Sequence, residues 1–188
     1  MADKNTKIPI INSKGKIAAV FVEPIAGSTG TLVPPQGYLQ RLREICDEHG
    51  ILLVFDEVIT GFGRTGKAFA SQSYGVTPDI ITMAKGMGNG FPIGGILIHP
   101  DIKSKYGLLG TTFGGNHLAC TASLSVLDVL KKERLQEKTK VLESYFISRA
   151  KKLPHISKIK GRGLMLGLEF DFEVSALRKE LILSLIHI

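Results

Sequence analysis

Short apolar runs, separated by glycine- and proline-rich polar segments, set the pattern of this chain. "IAAVFV" from Ile17, "ILLVF" from Ile51, "PDIITMA" from Pro78 and "IGGILIH" from Ile93 each predict a buried strand. Between the first two, "EPIAGSTGTLVPPQG" reads as a loop. "YLQRLREICDEHG" puts Leu39, Leu42, Ile45, Cys46 and His49 on one helical stripe, with Gly50 as C-cap. His49 falls in the last helical turn, where a capping role suffices. "NHLACTASLSVLDVLKK" predicts a helix that is apolar on most sides and packs on the sheet. "ERLQEKTKVLESYFISRAKKL" predicts an amphipathic helix with Leu135, Leu142, Tyr145, Phe146 and Leu153 inward, stopped by Pro154. "LMLGLEF" predicts a further strand, and "VSALRKELI" starts another helix.

Strands apolar on both faces, with a helix between the first two, predict an α/β fold with a mostly parallel sheet. The expected organisation is an irregular segment 1–16, a large domain over 17–153 and the start of a small C-terminal domain over 154–182. Ligands of such sheets bind beyond the carboxyl ends of the strands. Two residues of chemical interest fall at that edge. Asp56 ends the second run, and Lys85 follows the third.

Composition narrows the function classes. The chain has 188 residues, 44% of them hydrophobic, enough for one substantial core. No apolar run reaches the roughly 20 residues of a membrane span, so no membrane association is expected. Cys46 and Cys120 both fall in helical stretches and read as small buried residues in a reducing compartment, so a cytoplasmic location is expected. No Cys/His cluster has metal-ligand spacing, and no metal is expected. The net charge of +7 comes largely from "KKERLQEKTK" and "RAKKLPHISKIKGR", which read as solvated helix faces. Aromatic interleaving and a nucleic-acid-binding module are lacking, so no nucleic-acid partner is expected.

Lys85 stands in "TMAKGMGNGFPIGG", at the mouth of a glycine-rich loop. A phosphate clamp of the P-loop kind needs the lysine after its glycines and a hydroxyl next to it. Here the lysine comes first and Gly86 follows. "GMGNG" is also a poor match to a dinucleotide fingerprint. The remaining chemical role is covalent. An unprotonated amine forms a Schiff base with an aldehyde, and an apolar pocket favours the unprotonated form. Pyridoxal 5'-phosphate is the most common such aldehyde; it wants a carboxylate at its pyridine nitrogen, an apolar group on its ring and donors for its phosphate. Asp56 fits the first role, and Val58, on the same side of an extended chain, fits the second. "GTTFGGNHLAC" offers Thr111, Thr112, two glycines and a helix start near Asn116 for the phosphate.

Three stretches together resemble the class III pyridoxal-phosphate aminotransferases. They are "VEPIAGSTGTLVPPQGYLQRLREICDEHGILLVFDEVITGFGRTG", "PDIITMAKGMGNGFPIGG" and "GTTFGGNHLAC". Acetylornithine/ornithine and ω-amino-acid aminotransferases are the members most alike. The resemblance implies a fold-type I transferase, truncated at both ends. It also implies transfer of an amino group from an ω-amino or acetylornithine-like donor to a 2-oxo acid. It makes Lys85 the Schiff-base lysine and proton shuttle, Asp56 the partner of the pyridine nitrogen and Val58 the ring contact. Thr112 would reach the phosphate of a neighbouring subunit's cofactor, so a homodimer is implied. Glu23 would be a carboxylate behind the active site.

Departures leave the substrate divided. Ile59 stands where many relatives carry a glutamine, and Ser28 where ornithine-type relatives carry a glutamate; both look like the ω-amino-acid branch. "GTTFGGNHLAC" and "IKGRGLMLGLEF" look like the acetylornithine branch. An aminomutase or decarboxylase of the same fold, or an inactive fragment, are the alternatives. The end of the chain, "LSLIHI", looks foreign to the family and matches a translated transposon end used in sequencing libraries. Residues 183–188 are therefore expected to be a non-native tail, with the parent gene continuing past Ile182 in a different reading.

Overall fold

The computed structural model describes residues 17–103, 105–107 and 110–183. The segment 1–16 and residues 184–188 of the expected tail lie outside these. Four strands form the main sheet in sequence order: β1 (Ala19–Val22), β2 (Leu52–Asp56), β3 (Ile80–Met83) and β4 (Gly95–Ile98). β1, β2 and β3 run parallel, and β4 is antiparallel to β3. The apolar runs located all four strands but carry no sign of direction. The connection over residues 84–94, which includes a 3-10 turn, falls short of the crossover of a dozen or more residues that a parallel return would need, so β4 runs back against β3.

Helix α1 (Tyr38–His49) covers one face of this sheet. Leu39, Leu42 and Cys46 meet Leu53, Phe55 and Val76 in the buried core, with Val20 and Val22 packed against them. This is the predicted stripe without its edge: Ile45 is half-buried and His49 exposed. Gly50 takes a left-handed conformation (φ 62°) and ends the helix, as expected. Parallel register puts Phe21 beside Val54 and Val54 beside Ile80, so these side chains share the opposite face. That face is not uniformly covered: Phe21 is 62% exposed, and Ile96 and Ile98 on β4 are exposed too. Apolar strands therefore do not mean burial on both sides here.

After the short helix α2 (Ser71–Tyr74), helices α3 (His117–Lys132) and α4 (Leu135–Ala150) pack against each other, and α3 touches the 3-10 turn Lys85–Met87. The expectation that α3 lies apolar-side-down on the sheet is not met. Its buried residues are Ala119 and Ser123, whereas Leu118, Leu124, Leu127 and Val129 are exposed. Cys120 is exposed for the same reason, contrary to the reading of both cysteines as buried; Cys46 alone is buried. In α4 the buried positions are Thr139 and Ala150, and Leu142, Tyr145 and Phe146 are exposed, as is Leu153 just past its end. Helical spacing gives a stripe, but which stripe faces the protein depends on what the helix meets.

Past Pro154, β5 (Ile156–Arg162) and β6 (Met165–Phe170) form an antiparallel hairpin, and α5 (Ser175–Leu183) follows. β6 and α5 match the predicted elements. β5 corrects the expectation of a basic helix face over this segment. Its lysines belong to an amphipathic strand, where Lys160 pairs with Glu169 across the hairpin.

Candidate active site

Parallel pairing of β2 with β3 sets the registers Val54 to Ile80 and Asp56 to Thr82. Asp56 is the last residue of its strand, and its half-buried carboxylate is held from two sides. Val58 N–H donates to Asp56 Oδ1 at 3.0 Å, and Thr82 Oγ1 donates to the same oxygen at 3.2 Å. Lys85 comes three residues after Thr82 and opens the 3-10 turn Lys85–Met87. The two residues singled out from sequence thus leave neighbouring strand tips on the same sheet edge.

The backbone of Lys85 is left-handed, with φ 44°. A lysine has no intrinsic preference for that region, and such a conformation persists where the surroundings dictate it. Gly86 explains part of the constraint. A Cβ there would meet Phe62 Cβ at 3.3 Å, so the lysine turn lies directly against the glycine loop 60–66. That loop is itself fixed. Thr139 Oγ1 donates to the Gly63 carbonyl at 3.2 Å, and Leu164 N–H donates to the Arg64 carbonyl at 2.9 Å. Gly163, at the tip of the β5–β6 hairpin, allows the second contact: a Cβ would meet Arg64 O at 2.4 Å.

Val58, Ile59, Phe62, Lys85, Leu130 and Leu135 contribute to a groove of about 340 Å³. Val58 and Lys85 therefore share one cavity. Lys85 is exposed, however, rather than enclosed in an apolar pocket as its proposed chemistry led us to expect. The groove is open because its walls are loops and helix edges, not a second layer on the sheet. Lys138 also lines it, but this second amine is exposed and lies 3.7 Å from Glu133.

Glu23 follows β1 at the same edge. Gly27 N–H donates to its Oε2 at 2.9 Å, and a Cβ on Gly27 would meet Ile59 Cδ1 at 2.8 Å. Glu23 thereby borders the groove through Gly27 and Ile59. Thr112 is not brought to the groove: it is exposed in the loop before α3. Its neighbour Thr111 accepts from Gly114 N–H at 3.2 Å, and Asn116 Oδ1 caps α3 through Ala119 N–H at 2.9 Å.

Two residues at this edge were not read from the sequence. Thr82 is silent there because only strand register places it on Asp56. Glu57 is fully buried and accepts three hydrogen bonds, from Thr60 Oγ1 (2.5 Å), Ala70 N–H (2.8 Å) and Ser71 N–H (2.7 Å). The available signal was an acid three residues before a threonine at a strand end. Among the described residues no helix is long and apolar enough to cross a membrane.

Known proteins resemble this chain in sequence and fold. The aminotransferase class-III family profile matches residues 5–185. Acetylornithine aminotransferase of Methanothermobacter thermautotrophicus is 44% identical over 162 residues, covering 83% of this chain and 42% of that protein. An omega-aminotransferase of Caulobacter vibrioides is 41% identical over 187 residues, covering 91% and 42%. Among solved structures, an (S)-enantioselective omega-transaminase from Thermomicrobium roseum superimposes with a TM-score of 0.75 at 38% identity, over 84% of this chain and 38% of its own. Ornithine aminotransferase from Toxoplasma gondii, described with partial occupancy of PLP at its active site, gives 0.75 at 40% identity over 81% and 38%. The chain thus spans about two fifths of the length of these relatives. With matching folds at 38–40% identity and a family profile that spans nearly all 188 residues, the chain belongs to the class-III aminotransferases, a family of pyridoxal-phosphate enzymes with an α/β, fold-type I architecture.

Proposed function

We propose that this chain forms the cofactor-holding part of an aminotransferase that moves an amino group from an ω-amino or acetylornithine-like donor to a 2-oxo acid. Residues 17–153 would belong to its large domain and 154–182 to the start of a small one. One observation carries this reading: a carboxylate and an amine leave adjacent parallel strand tips, with Val58 and Lys85 lining one groove. The donor set fits pyridoxal 5'-phosphate, since an anion, an apolar wall and a primary amine are the three groups its ring and aldehyde require.

When bound, the cofactor supplies an aldehyde and an electron-accepting ring. Asp56, oriented by Thr82 and Val58 N–H, would offer its carboxylate to the ring nitrogen and favour the protonated ring. Val58 would pack on the ring face. Lys85 Nζ would hold the cofactor through its aldehyde and, as a free amine, would move the proton at the donor Cα. Glu23 braces the loop that bears Gly27 behind Ile59. Thr112 faces outward, which suits a role on the cofactor phosphate of a second subunit in a homodimer. Names of the similar proteins span acetylornithine, ornithine and omega-amino substrates, so the donor class stays that broad. The proposed location is the cytoplasm.

The test is chemical. The chain is mixed with pyridoxal 5'-phosphate, reduced with borohydride and digested for mass spectrometry. The cofactor should be fixed on Lys85 and lost in Lys85→Ala. Attachment that persists in that variant would refute the assignment.

A further inference from the structure

We infer that Glu57 is a positioning residue for the cofactor site: its buried carboxylate locks the strand tip from which Asp56 and Val58 project. The inference rests on the proposed roles of those two residues. Glu57 lies between them, just past the end of β2 and before the turn that begins at Val58. There it is wholly buried. Oε2 accepts from Thr60 Oγ1 and Ala70 N–H, and Oε1 accepts from Ser71 N–H. Its main chain is held as well: Glu57 N–H donates to the Thr82 carbonyl at 3.0 Å, and Gly61 N–H donates to the Glu57 carbonyl at 2.8 Å. A Cβ on Gly61 would come within 2.8 Å of that same carbonyl, so the turn is closed tightly on Glu57.

The chemistry of this site explains why a carboxylate stands there. All three groups around Glu57 donate, and only an acceptor-only side chain satisfies them together. A glutamine would have to turn its NH₂ toward either Ser71 N–H or Ala70 N–H, donor against donor. A leucine would leave three donors unpaired. Thr82 ties the two halves of the edge together. Its carbonyl accepts from Glu57 N–H while its hydroxyl donates to Asp56. A shift of Glu57 therefore moves both the chain that carries Asp56 and the group that orients its carboxylate.

The test uses the full chain with added pyridoxal 5'-phosphate. Cofactor dissociation constants and the visible circular dichroism of the bound cofactor are measured for wild type, Glu57→Gln, Thr60→Val and Asp56→Asn. Melting temperature without cofactor is recorded alongside. Glu57→Gln should weaken cofactor binding about tenfold or more, the size of one lost charge-assisted hydrogen bond. It should also change the dichroism per bound cofactor, which reports how the ring is held. Thr60→Val, which keeps the carboxylate and removes one donor, should shift both readings the same way but less; if Glu57→Gln does not fold, this variant decides. A lowered melting temperature with unchanged affinity and dichroism would make Glu57 a purely structural residue and overturn the inference. If wild type binds no cofactor, or Asp56→Asn behaves as wild type, the site assignment itself fails, a result distinct from failure at Glu57 alone.

Discussion

Thr82 Oγ1 donates a hydrogen bond to Asp56 Oδ1 at 3.2 Å, across the pair that the β2–β3 register places side by side. The strand that leads to Lys85 therefore also orients the carboxylate on the strand beside it. Thr82→Val keeps the shape and removes the donor. We expect cofactor affinity to fall several-fold while global stability drops by about 1 kcal/mol, the usual net worth of a hydrogen bond. Cofactor titration and thermal melting measure the two effects separately.

Lys85 holds a left-handed backbone at φ 44°, where a Cβ costs roughly 1–2 kcal/mol. Lys85→Gly should melt at or above the temperature of Lys85→Ala, even though glycine adds entropy to the unfolded chain. Calorimetry of the two variants checks this. An alanine variant clearly more stable than the glycine variant would mean that no strain resides at this position.

Gly163 turns the β5–β6 hairpin at φ 61°, and a Cβ there would fall 2.4 Å from Arg64 O. Gly163→Ala is expected to cost about 2 kcal/mol or more through strain and overpacking. It should also loosen the glycine loop 60–66, which hydrogen-deuterium exchange would show as faster exchange at Arg64 and Thr65.

Asp79 links three elements. Its Oδ2 accepts from Arg43 Nη1 at 2.7 Å and from Leu53 N–H at 2.7 Å. Burial pushes its carboxyl up, but the Leu53 N–H and the Arg43 guanidinium outweigh this and hold it below the ordinary 3.8. The folded-state value is the lower one, so the contribution is fully present above the unfolded value. It is lost as pH falls through the folded one. Melting temperature should therefore drop on acidification below about pH 4. Asp79→Asn should be less stable at neutral pH and less sensitive across that acid range.

Cys46 is fully buried in the core, and burial pushes its thiol up, whereas Cys120 is exposed on α3. A maleimide should label Cys120 readily in the native chain and reach Cys46 only after denaturation. Peptide mapping of the labelled protein distinguishes them.

Much of this was legible in the residues themselves. The locations of β1–β4 and β6, α1 with its Gly50 cap, the Asn116 start of α3 and the Asp56–Val58–Lys85 series all follow from local signals. Those signals are apolar runs, capping chemistry and the chemical type of a side chain. The errors were of another kind. β5 was missed because alternating lysines hide a strand that is half exposed, and the inward faces of α3 and α4 were misjudged because a stripe does not name its partner. Glu57 went unread because its three donors come from Thr60, Ala70 and Ser71, which local sequence does not bring together.

By itself, the sequence determined the strands of the main sheet, β6 and the long helices, and which residues carry an amine, an anion and an apolar wall, because those depend on neighbours a few positions away. Only the tertiary structure decided that Thr82 stands on Asp56, that β4 runs backwards, that Glu57 is buried among three donors and that Lys85 sits in a strained turn against Phe62. Each of those depends on register and packing between segments far apart in the chain, and no local pattern encodes a distance of that kind.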